Sequence, residues 1–84
     1  MNTKTKQKLP KWFNGELYKE GATVRKRFSG EEYELNAMEL SMYDFVMGST
    51  IMSEMGHTDV ITNLRKGLDW FRKHNAKAYM VLLD

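Results

Sequence analysis

The side chains in this chain that can do chemistry are few, and their spacing works against a catalytic centre. His57 and His74 are the only histidines. His57 falls at the break between two helical segments and His74 at the end of one. Neither has a second metal ligand at i+3 or i+4. His74 suits the negative end of a helix dipole instead. Glu31, Glu32 and Glu34 invite a reading as acid/base carboxylates. Placed on a hairpin opposite arginines, they become a solvated, ion-paired face. Ser29, Ser41, Ser49 and Ser53 stand in a turn or on a helix, with no evident base and no nucleophile elbow. Cysteine is absent, which removes disulfides, thiolate nucleophiles, iron–sulfur clusters and cysteine-ligated zinc. No glycine pattern of the P-loop or Rossmann kind occurs. The sequence therefore predicts no catalytic residue, no metal ligand and no cofactor, and hence a protein that is not an enzyme.

The groups that remain are suited to binding. Lys4, Lys6, Lys8 and Lys11 lie in the first eleven residues with no acid among them. The chain carries 13 basic and 11 acidic residues, so without those four lysines nine bases face eleven acids. The basicity belongs to the N-terminal arm. A nucleic-acid interface using this arm is the alternative reading: Arg25-Lys26-Arg27 and the Arg65/Lys66/Arg72/Lys73 helix face add cations, and Trp12 and Phe13 offer stacking. Against it, Arg25 and Arg27 have Glu34 and Glu32 as expected partners, Asp69 interrupts the helix face, and no recognised nucleic-acid signature is present.

The elements that must position these groups fit one small domain of 84 residues, with 42% hydrophobic and 29% charged side chains. Residues 1–9 are expected to be a disordered basic arm and residues 10–84 a single domain. In TVRKRFSGEEYEL, Ser29-Gly30 as a two-residue loop pairs Phe28 with Glu31, Arg27 with Glu32, Lys26 with Tyr33, Arg25 with Glu34 and Val24 with Leu35. Residues 16–18 are a candidate third strand. Asn36 and Glu39 form a capping box, with Leu35 and Leu40 as its hydrophobic staple, and predict a helix over 37–55 closed by Gly56. A second helix runs from Thr58-Asp59 to His74, with Val60, Ile61, Leu64, Leu68 and Phe71 inward. The last segment, AKAYMVLLD, is expected as a short third helix, a closing strand being the alternative. The fold class is thus α+β: a β-hairpin or three-stranded meander, two main helices and a short C-terminal one.

Five of the seven methionines fall in the first helix, MELSMYDFVMGSTIMSEM. At 100° per residue this helix has two apolar stripes. Leu40, Tyr43, Met47, Ile51 and Met55 lie on one side; Met38, Met42, Phe45 and Met52 lie nearly opposite, with Val46 and Ser49 beside them. Either the domain covers both, or one stripe meets another chain. Met38, Met42, Phe45 and Met52, together with Trp70, are the favoured partner surface, because methionine re-packs against varied targets. The Gly48-Ser49 pair is read as a point of close backbone approach. Trp70 is either a lid under the N-terminal segment or an interface anchor.

The segments PKWFNGELYKEGATVRKRFSGEEYELN, LSMYDF and GLDWFRKHNAKAYMVLLD resemble small proteins, without an assigned function, of tailed phages that infect marine cyanobacteria. The resemblance spans nearly everything after residue 9 and carries no binding or catalytic residues with it. It implies a short protein made in an infected bacterium and acting on a host or phage protein. No apolar run approaches the ~20 residues a bilayer span needs, and no signal peptide is evident. The expectation is a cytoplasmic protein-interaction module with a protein partner, self-association included, with nucleic acid less favoured and no membrane.

Overall fold

In the computed structural model, which describes residues 7–26 and 29–83, two antiparallel strands precede two packed helices and a short C-terminal turn of helix. Strands β1 (Ala22–Arg25) and β2 (Glu32–Leu35) pair with Ala22 opposite Leu35, Val24 opposite Tyr33 and Arg25 opposite Glu32. The expected register is corrected by two residues, because the connection is longer than Ser29-Gly30. Lys26 N–H donates to the Glu31 carbonyl, and Gly30 N–H donates back to the Lys26 carbonyl. Gly30 takes φ +78, a left-handed conformation that favours glycine. A shift of two preserves the pleat, so each side chain keeps its expected face. Val24, Tyr33 and Leu35 turn toward the core, while Arg25 pairs with Glu32 at 3.0 Å instead of with Glu34. The expected pairs of Arg27 and Phe28 lie outside the described residues. Residues 16–18 form no strand, so the hairpin is the sheet among the described residues.

Helix α1 (Ala37–Glu54) begins where its local chemistry dictates. Asn36 Oδ1 accepts from Glu39 N–H at 2.8 Å, and Glu39 Oε1 accepts from Asn36 N–H at 2.9 Å. Both bonds satisfy amides that the first turn leaves without helical partners. The helix closes at Met55, followed by Gly56 at φ +101. A 3-10 turn (Thr58–Val60) then leads into α2 (Ile61–His74), neither of them capped by a side chain. The expected Thr58-Asp59 start therefore opens the 3-10 turn, and the α-helix begins three residues later. Asn75 breaks α2, and its Oδ1 caps α3 (Ala76–Ala78) by accepting from Ala78 N–H at 3.1 Å. The chain continues as a π-helical turn (Tyr79–Leu83), so the tail is helical and the strand alternative drops out.

The core is formed by Leu35, Met42, Val46, Trp70, Phe71, Ala78 and Leu82, drawn from β2, α1, α2, α3 and the C-terminal turn, while β1 adds half-buried Val24. Helices α1 and α2 approach closely at Gly67, where an added Cβ would stand 2.7 Å from Val46 Cγ2. The point of close approach is thus Gly67; a Cβ on Gly48 would meet open space. Gly21 is tighter still, since a Cβ there would fall 2.0 Å from the Leu35 carbonyl oxygen. No rotamer relieves a clash with backbone, so Gly21→Ala must displace the loop or β2. We expect it to cost about 2 kcal/mol, read as a lowered midpoint in thermal unfolding; an unchanged midpoint would mean that this approach does not exist in solution.

Candidate interaction surfaces

The five residues read from sequence as a partner surface part company in the fold. Met42 is fully buried and Trp70 nearly so. Trp70 is the lid: its indole N–H donates to the Lys8 carbonyl at 3.0 Å, and its ring stacks on His74 at 4.6 Å. Phe45 is half-buried in an aromatic cluster with Trp12 and Phe13, at centroid distances of 5.7 and 5.4 Å. Only Met38 and Met52 are exposed, far apart along the helix. The middle of this stripe is core, so Met42 and Trp70 are not available to a partner.

The N-terminal segment explains the outcome. Leu9, Trp12 and Phe13 fold over the Phe45 side of the α1–α2 pair, which leaves the opposite stripe without cover in its C-terminal half. Met47, Ile51 and Met55 of that stripe are 37, 54 and 71% exposed, and Met52, at the end of the Phe45 stripe, is 42% exposed beside them. Their positions place them on one arc of α1, with Gly48 providing a flat spot between them. Asp44, Glu54 and Asp59 are exposed around this arc, and none is salt-bridged. Met52 also opens onto a cleft of about 440 Å³ whose other walls include Asn14, Asp44, Gly48, Asp59 and Asn63. Near the N-terminal end of the arc, Tyr18 N–H donates to Ser41 Oγ at 2.9 Å. Partial burial, then the Asp44 and Glu16 carboxylates, holds the Tyr18 hydroxyl above its ordinary pKa of 10.0. This surface is apolar with an acidic rim.

The basic arm is also redistributed. Gln7, Lys8 and Leu9 belong to the folded part, which corrects the boundary drawn at Pro10. Gln7 Nε2 donates to Glu39 Oε2 at 2.8 Å, and Gln7 Oε1 accepts from Asn36 Nδ2 at 2.9 Å. Lys8 borders a second cleft, between residues 8–12 and α2, that also contains Lys66 and Lys73. Lys11 is exposed beside it. Lys4 and Lys6 lie outside the described residues.

The polar group that sequence reasoning placed incompletely is Glu39. Besides closing the capping box it is buried and accepts from Asn75 Nδ2 at 2.9 Å. Tyr33 donates its hydroxyl to Asn75 Oδ1 at 3.4 Å, so the hairpin, α1 and α3 meet at one polar cluster. Among the described residues no buried side-chain nitrogen or oxygen is left without a hydrogen-bond partner, and Asn36 and Glu39 border a cleft shared with Gly21, Glu34 and Leu35. Among the described residues, no three histidine or acidic side chains converge as a metal site requires, and no helix is long and apolar enough to cross a membrane. Set against known family models, curated proteins and solved structures, the chain finds no match, and the surfaces themselves must carry the functional argument.

Proposed function

We propose that this protein is a small non-enzymatic protein-interaction module whose docking surface is the C-terminal half of α1. The observation that carries the reading is the exposure of Met47, Ile51, Met52 and Met55 on one arc of a helix whose opposite side is buried in the core. Contiguous apolar surface of this kind marks an interaction site when polar groups rim it. Methionine adapts its shape to an incoming apolar face without strain. The rim of Asp44, Glu54 and Asp59 selects the partner's chemistry: an amphipathic helix with apolar residues at i, i+3 and i+4 and lysines or arginines beside them. A second copy of the chain would bring acid against acid, so a different protein is favoured over a homodimer. The resemblance to tailed-phage proteins supports a host or phage protein in that role, met in the cytoplasm of an infected cell.

The test is capture by the immobilised chain from a nuclease-treated lysate of a cyanobacterial host, run beside Ile51→Lys and Met55→Lys. Both positions are exposed, so unfolding free energies should stay within about 0.5 kcal/mol of the parent. A stoichiometric protein held by the parent and lost by both variants is the expected result. A partner retained by both, or a parent that light scattering shows to be a dimer and Ile51→Lys a monomer, would overturn it.

A further inference from the structure

We propose that the cleft between residues 8–12 and α2 binds single-stranded nucleic acid, with a base against Trp12 and phosphates on Lys8, Lys66 and Lys73. The cleft, about 440 Å³, is walled by Trp12, Trp70 and His74 and edged by these three lysines. None of the three is salt-bridged. The one acid in the cleft, Asp69, is taken up by Arg72 at 2.5 Å. Cations therefore gather here on a domain that is neutral once Lys4 and Lys6 are set aside, since 13 bases less those two equal its 11 acids. Such a concentration of unpaired charge favours a polyanion.

The aromatic groups divide the work. Trp70 is buried, its N–H bonded to Lys8 and its ring stacked on His74, so it shapes the wall. Trp12 is only half-buried, and Lys66 Nζ stands 5.7 Å from its ring centroid. A ring that already draws a cation has an accessible π-face. A base settling on that face displaces the ammonium outward, to where the attached phosphate lies. Lys66 and Lys73 are seven residues apart on α2, about 10.5 Å along the axis, so their flexible ammonium groups can reach different phosphates of one strand. The cleft offers few groups that read base edges, so binding is expected to tolerate sequence. Duplex DNA keeps its bases stacked away from Trp12 and fits poorly. The cleft shares no residue with the exposed arc of α1, so this inference stands or falls independently of the protein-interaction reading.

The experiment is fluorescence anisotropy of fluorescein-labelled dT12 with the full chain. Affinity should fall with salt at a log–log slope of about −2, as three phosphate contacts on a single strand require. Lys66→Ala/Lys73→Ala alters exposed side chains only; it should keep the parent's unfolding midpoint and weaken binding at least tenfold. Trp12→Leu should weaken it by a similar factor, and the lysine pair carries the test if that variant is unstable. Four results would overturn the proposal: no binding of dT12 at low salt; equal affinity for a duplex; free dTTP binding as tightly as dT12, which would make the cleft a nucleotide site; or binding unchanged in the lysine pair but lost in Lys4→Ala/Lys6→Ala.

Discussion

Phe71→Ala is expected to destabilise the domain by about 3–5 kcal/mol, the range for removing a large aromatic side chain from a packed core. Phe71 is fully buried, meets the edge of Trp70 at 5.4 Å and 84°, and sits in the cluster that joins both helices to the C-terminal turn. Little can collapse into the space it leaves, since α1 already packs so tightly on α2 at Gly67 that a Cβ there would stand 2.7 Å from Val46 Cγ2. For a chain of this length the whole folding free energy is on the order of 4–13 kcal/mol, so the variant should approach half-unfolded under mild conditions. The measurement is the urea midpoint with the slope of the transition. A loss under about 1.5 kcal/mol would mean that Phe71 is not central to the core.

Glu39→Ala is the second large effect, for a different reason. The substitution removes the acceptor for Asn36 N–H, Asn75 Nδ2 and Gln7 Nε2 together. Loss of a capping interaction costs about 1 kcal/mol, and each buried donor left without a partner costs about 1–3 kcal/mol. Water reaching Gln7 reduces the second contribution, and an overall loss of about 2–4 kcal/mol is expected. A double-mutant cycle with Asn75→Ala separates the local cap from the long-range bond. If the cluster acts as one unit, the two losses fall short of adding by about 1 kcal/mol or more. Strict additivity would reduce Glu39 to an ordinary helix cap.

What could be read from sequence followed how local each determinant was. Asn36 and Glu39 are three residues apart and close their own box, so the start of α1 was legible to the residue. Gly56, the broken end of α2 at Asn75 and the inward stripe of Leu64, Leu68 and Phe71 were legible for the same reason. The hairpin faces were legible because alternation survives an even shift, whereas the register was not, because Ser29-Gly30 resembles a shorter loop than the chain uses. The exposed arc of α1 was out of reach: both stripes are equally apolar, and the choice between them depends on where Leu9, Trp12 and Phe13 come to rest. The bond from Glu39 to Asn75 spans 36 residues and left no local trace. The grouping of the lysine arm with Lys66, Lys73 and Trp12 was read from charge alone; the cleft that brings Lys8 to them across 58 and 65 residues was not.

The Glu39 cluster has a bearing on how the domain comes apart. Gln7, at one end of the described chain, and Asn75, which opens the C-terminal turn, are fastened to the same carboxylate. Gln7 also reaches the His74 carbonyl at 3.4 Å, which ties the two ends to each other. Peeling either end away frees hydrogen-bonding groups that the other end relies on, so fraying from one terminus loosens the other. Residues 7–9, held also by the Trp70 indole on the Lys8 carbonyl, and the C-terminal turn are therefore expected to open together, which hydrogen exchange would read as matched protection of the two segments.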